Sequence, residues 1–226
     1  LYGMDFEVNG SDSISNSVSV YSAGTLTFSN PTFVPGSIDA GQSTVNVDAS
    51  VATTYMTLNE TILNVNADLD VSQILYTDGG TINQNGNISG SLYLGWAGTG
   101  TLVNRNSGVL TLTDLSLGST ELALGSGDSV VTASIYTGST LTINDPMQIG
   151  GLTVGESTLI LNDNLTVDGN VSLFQATVIR NNGAGFATPD LYVSTMDYQL
   201  DGTDNVSNSI NFDNGTLDVS VATSLS

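Results

Sequence analysis

Short runs of alternating apolar and polar residues fill this chain, and helical spacing never takes over for long. In SLYLGWAGTGTLVN, LSLGSTELALG, ASIYTGSTLTIND, GLTVGESTLILND and VSLFQATVIRNN, apolar Leu, Ile, Val, Tyr and Phe alternate with Ser, Thr, Asn and Asp at period two. That period sets the apolar side chains on one face of a strand. Each run predicts two strands of about three to five residues joined at a tight Gly- or Ser-containing corner. A third, polar stretch is expected to return the chain to the next copy.

The corners recur. AGTL, QSTV, NETI, GGTI, TGTL, STEL, GSTL, ESTL, QATV, VSTM and NGTL place a mark at Thr25, Thr44, Thr61, Thr81, Thr101, Glu121, Thr140, Thr158, Thr177, Thr195 and Thr216. The intervals run from 17 to 21 residues. An amphipathic strand pair of this size cannot bury its apolar face alone, whereas stacked copies merge their inward residues into one core. The expectation is an all-β, parallel β-solenoid (β-helix) with about 19 residues per coil and roughly eleven coils. Parallel crossovers favour the right hand, so a right-handed coil is expected. A propeller blade usually takes about 40 residues and four strands, and a β-sandwich gives no reason for one corner to recur at this interval.

Residues 1–17 lack a full repeat and are expected to form an N-terminal segment, a cap or an exchanged strand, ahead of a repeat domain over 18–226. The last residues, TLDVSVATSLS, echo the earlier TVNVDASVATTYMTL. The terminal coils therefore predict flanking coils or end-to-end self-association, because an uncapped coil exposes backbone groups that invite stacking.

Composition narrows the chemistry. Twenty-two carboxylates stand against two arginines, Arg105 and Arg180, for a formal charge of −20, with no Lys, His or Cys. Such a field repels phosphate backbones, so nucleic acid is not an expected partner. Without His or Cys the common zinc sites, the histidine base and the thiolate nucleophile are missing, and without Lys there is no P-loop or Schiff base. No apolar run is long enough to span a bilayer as a helix, and the first residues, LYGMDFEVNG, show no signal core.

What remains is oxygen chemistry. Asp163 and Asp168 in NDNLTVDGN, and Asp201 and Asp204 in DGTDN, are the densest donor groups, and Ca2+ is the ion they suit, although neither stretch has the spacing of a helix-loop-helix site. No other cofactor is called for. Acidic pairs such as Asp68/Asp70, Asp163/Asp168 and Asp201/Asp204 are also candidates for a polysaccharide-degrading enzyme with paired carboxylates, the alternative function. Seven Asn-x-Ser/Thr patterns begin at Asn9, Asn59, Asn87, Asn164, Asn170, Asn205 and Asn214. In GWAGTGTLVNRNSG, Gly100 is expected to allow a compact turn and Leu102 to enter the core. Trp96 and Tyr93 would cover a core edge, and Arg105 would pair with carboxylates across a coil.

Written out as repeats, LYLGWAGTGTLVNRNSGVLTL, LTVGESTLILNDNLTVDGNVSL and IYTGSTLTIND resemble the Gly-Thr-Leu repeats of bacterial autotransporter passenger domains and related large cell-surface adhesins, over roughly residues 18–220. The resemblance implies a secreted or cell-surface β-helix: a stalk, adhesin or filament or matrix subunit without catalytic activity, with a surface or glycan receptor as a partner. It carries over no site residues. The membrane barrel of a full autotransporter has no counterpart here.

Overall fold

The computed structural model describes residues 1–10, 12–95, 97–200 and 203–219, so Trp96 and Asp201 lie outside the described residues. The chain is an all-β parallel solenoid of about eleven coils with a repeat near 19 residues, and it divides into two compact units. The first comprises residues 1–114 and 118–120, the second residues 115–117 and 121–226.

In the first unit a short-strand sheet stacks Asp5–Val8, Thr25–Phe28, Thr44–Val47, Ile62–Val65, Thr81–Gln84 and Leu102–Arg105, every neighbouring pair parallel. A second sheet takes the longer strands Val18–Tyr21, Thr32–Gly41, Val51–Asn59, Leu69–Asp78 and Ile88–Leu94. The long strands bend where the register slips, between Val34 and Ser37, Thr53 and Tyr55, and Gly90 and Ser91. Each bulge turns one long strand into two straight faces. The stretch expected as a polar return is therefore itself strand, its inward residues Val51 and Thr53 as buried as Met56 and Leu58 beyond the bend.

The second unit repeats the design. Its short strands Glu121–Leu124, Thr140–Ile143, Thr158–Leu161 and Thr177–Arg180 pair in parallel, and Tyr198–Leu200 pairs with Leu217–Val219 in a separate ladder. In its long sheet, Gly151–Gly155, Asn170–Phe174, Phe186–Ser194 and Asn205–Asp213 run in order. Residues 1–17 carry a coil segment of their own, since Asp5–Val8 lies in register on Thr25–Phe28 and Tyr2 bridges Tyr21.

Register corrects three of the eleven marks. Ile62, not Thr61, pairs with Thr44 and Thr81; Leu102, not Thr101, pairs with Thr81. Thr61 and Thr101 instead fill the buried small-residue position before the strand, the one Ser43 takes in its coil. Thr195 sits at a left-handed corner, φ 58°, equivalent to Gln175 of the preceding coil. A Thr followed by an aliphatic residue fits either of two adjacent positions, so the dipeptide alone misplaced the phase. Ile62 and Leu102 consequently point outward, 44% and 59% exposed, and the core residues of those coils are Leu63 and the half-buried Val103. Leu102 does not enter the core.

Each corner uses the left-handed region. Gln42, Glu60 and Gly79 are stacked equivalents in the first unit, and Glu156, Gln175, Thr195 and Asn214 in the second, with φ between 48° and 70°. The conformation aims the backbone N–H along the stack: Gln42 donates to Asn59, Glu60 to Asp78, Glu156 to Phe174 and Thr195 to Asp213. Satisfying these donors offsets the strain of holding L-residues there. Gly100 serves a different need, because a Cβ there would stand 2.0 Å from the Ser119 carbonyl oxygen.

Candidate functional site

Outward polar residues meet coil above coil. In the first unit Asn46 donates to Thr27 Oγ1 at 3.0 Å, Asn64 to Asn46 at 2.7 Å, Asn83 to Asn64 at 2.7 Å and Asn104 to Asn83 at 2.8 Å, each through its side-chain amide. A second column runs Asp48, Asn66, Asn85, Asn106, with bonds of 2.7 to 3.1 Å. The second unit has the same device in Asn144, Asn162 and Asn181. Parallel register repeats an amide about every 4.8 Å, the reach of one side-chain hydrogen bond, so identical Asn residues satisfy one another. Among the described residues every buried side-chain N or O has a partner.

The two arginines depart from this plan in the same way. In the first unit Phe28, Val47 and Val65 form an inward column that continues as Gln84 and Arg105. Gln84 is fully buried, and Arg105 donates from Nε to its Oε1 at 2.9 Å and from Nη2 to the Gly108 carbonyl at 3.3 Å. In the second unit Leu124, Ile143 and Leu161 are followed by Arg180. Each arginine thus closes the last strand of its short sheet.

Arg180 is answered by a buried carboxylate. Its Nη2 lies 2.7 Å from Asp204 Oδ2 and its Nε 3.2 Å from Oδ1, with the Asp204 side chain wholly buried. Phe186 N donates to Asp204 Oδ1 at 3.1 Å, the Tyr198 hydroxyl donates to Oδ2 at 3.2 Å, and Arg180 Nη2 also donates to the Tyr198 oxygen. The guanidinium stands 5.7 Å from the Phe186 ring centre and 5.2 Å from that of Tyr198. Burial pushes the Tyr198 phenol far above its ordinary range; the Asp204 charge adds to the shift and the Arg180 charge opposes it. Pairing and aromatic shielding make the buried charges tolerable.

The four proposed metal donors do not share one environment. Asp204 is committed to Arg180. Asp163 Oδ1 accepts from Asn164 N at 2.7 Å, and exposed Asp168 accepts from Gln148 Nε2 with both oxygens, at 2.8 and 2.9 Å. Asp201 is outside the described residues. Among the described residues no group of three or more carboxylates is gathered closely enough to hold a metal ion. Asp68 and Asp70 are both exposed and border one groove of the first unit. The seven Asn of the Asn-x-Ser/Thr patterns are all exposed. Half-buried Tyr93 pairs in register with Tyr76 on the outward side of the long sheet, and the Tyr136 ring lies beside Gly155. The buried cluster was missed on sequence, although TVIR set beneath TLTI and TLIL shows Arg at a core position.

No protein-family model matches this chain, and no curated protein or solved structure matches it. The solenoid itself is carried by the parallel register, coil upon coil. Among the described residues no helix is long and apolar enough to cross a membrane.

Proposed function

We propose that this protein is a structural or adhesive β-solenoid outside the cell, a surface stalk, adhesin or subunit of a filament or matrix. The observation that supports this reading is the direction of its polar chemistry. Outward Asn side chains bond along the stack, from coil to coil, in place of converging on a centre. Such bonding spends polar groups on a durable repetitive surface, which is what a display element needs. A high density of carboxylates keeps that surface hydrated, and a core without Cys keeps it independent of redox state. The Gly-Thr-Leu repeats, similar to those of autotransporter passengers and large adhesins, agree with this role.

The test is where the folded protein is found and what it does there. Antibodies raised against the folded chain are expected to label intact, unpermeabilised cells of its source or the surrounding matrix, and beads coated with the protein are expected to adhere to their surfaces. Labelling only after permeabilisation would overturn the reading. Release of reducing ends from a polysaccharide by the wild type, and not by Asp68→Asn/Asp70→Asn, would replace it with the paired-carboxylate enzyme.

A further inference from the structure

The outward faces of the first unit carry polar ladders broken by several grooves, and the one beside Phe33 has a distinct chemistry. In the long sheet Phe33 pairs with Ala52, and Ala52 with Asp70, so an aromatic ring, a methyl group and a carboxylate follow one another in a single outward column. Neighbouring coils are about 4.8 Å apart, which puts the backbone of Phe33 roughly 10 Å from that of Asp70 with only the Ala52 methyl between them. Pro31 and Ser50 border the same depression, and Asp68 stands beside Asp70 at its far wall; the groove encloses about 370 Å3.

Its walls are chemically unlike. Phe33 is 65% exposed, so its ring is open to a ligand. Asp70 Oδ1 accepts from the Ser89 hydroxyl at 2.9 Å and Asp68 Oδ1 from Asn87 Nδ2 at 2.8 Å, so each carboxylate is held from one side and keeps its second oxygen for a ligand. An aromatic face opposite two oriented carboxylates suits a flat cation. The ring quadrupole attracts its charge, and the carboxylates take its N–H groups. Guanidinium fits better than ammonium, because it can stack and donate through two nitrogens at once. The surrounding field points the same way: at −20, with no Lys, the protein attracts cations over its whole surface and repels anions. A neutral sugar could use the ring and the carboxylates and would gain nothing from that field.

We propose that the Phe33/Asp68/Asp70 notch docks an arginine side chain of a basic protein partner. It gives the adhesive reading a partner chemistry and rests on that reading only for its setting, since the binding itself is a property of the folded chain.

The experiment titrates the whole protein with a capped tetra-arginine peptide, its tetra-citrulline counterpart and a neutral cello-oligosaccharide, following backbone amide shifts in NMR spectra. Tetra-arginine is expected to move the amides of Phe33, Ala52 and Asp70, and tetra-citrulline to leave them in place. Phe33→Ala and Asp70→Asn should each weaken binding about three- to fivefold, while Glu121→Gln, an exposed carboxylate change in the other unit, leaves it unchanged. Phe33 and Asp70 are exposed, so both variants should melt like the wild type. Equal losses in Asp70→Asn and Glu121→Gln with none in Phe33→Ala would show diffuse charge attraction and overturn the proposal. So would oligosaccharide moving these amides when the arginine peptide does not. Either failure leaves the cell-labelling result, and with it the adhesive reading, untouched.

Discussion

At the scale of single residues, the ion pair of Arg180 with the wholly buried Asp204 constrains the second unit. Removing one partner strands a charge in the core, so Arg180→Leu should lower stability by about 3 to 5 kcal/mol in chemical denaturation. Leu at this position simply continues the column of Leu124, Ile143 and Leu161. Adding Asp204→Asn should therefore recover much of the loss, because Asn removes the charge and keeps an acceptor for Phe186 N. Tyr198 gives the same cluster an alkaline signature. The unfolded phenol ionises near pH 10 while the folded one is held neutral well above it. Below pH 10 both states are protonated and the stability is whole; above it the unfolded state sheds a proton first, and stability falls by about 1.4 kcal/mol per pH unit. The chain has no Lys to add an ammonium titration to that range, so Tyr198→Phe should flatten the fall in melting temperature above pH 10. The arginine's inward position was legible once TVIR was set beneath TLIL. Its partner was not, because DGTDN reads as a solvated turn and nothing local says that Asp204 turns inward.

At the scale of the element, the repeating unit was legible and its phase only partly so. Alternation located the strands, because inward residues such as Leu26, Val45, Leu63 and Ile82 must be apolar in every coil. Corners were harder, since what they require is a backbone conformation that Gln, Glu, Thr, Asn and Gly all supply here. Thr137 and Thr195 fit that requirement poorly, as β-branched residues in the left-handed region. Thr195→Asn, copying Asn214 of the next coil, should raise stability by about 0.5 to 1 kcal/mol, and Gln175→Val should lower it by about 1 to 2 kcal/mol. Thermal unfolding of the two variants decides this; the opposite order would mean that the corners are not left-handed. In the Asn ladder, Asn64→Asp should cost more than Asn64→Thr, because the carboxylate can still accept from Asn83 but has no proton to give Asn46.

At the scale of the whole molecule, charge and register have opposite effects. Twenty-two carboxylates against two arginines repel one another in the folded state, so sodium chloride should raise the melting temperature, steeply at first and then levelling as screening completes. Register supplies the cohesion, through inward columns and outward ladders that recur from coil to coil. The period near 19 residues made the architecture legible, because only stacked copies explain one corner recurring so often. The notch at Phe33 was illegible, because Phe33, Ala52 and Asp70 are far apart in the chain and meet only when the coils are in phase. That phase is the central claim, and a chain without Cys allows a clean test of it. Thr44 and Ile62 are register partners on the outward face of adjacent coils, whereas Asn64, on the same face, pairs with Asn46. Register partners lie about 4.8 Å apart, within disulfide reach; Thr44 and Asn64 would be roughly 8 Å apart, beyond it. Oxidation of Thr44→Cys/Ile62→Cys should give nearly complete intramolecular disulfide with the β-sheet circular dichroism retained, and Thr44→Cys/Asn64→Cys should give little. Equal cross-linking of the two pairs, or preference for the second, would contradict the coil register on which the fold and its ladders depend.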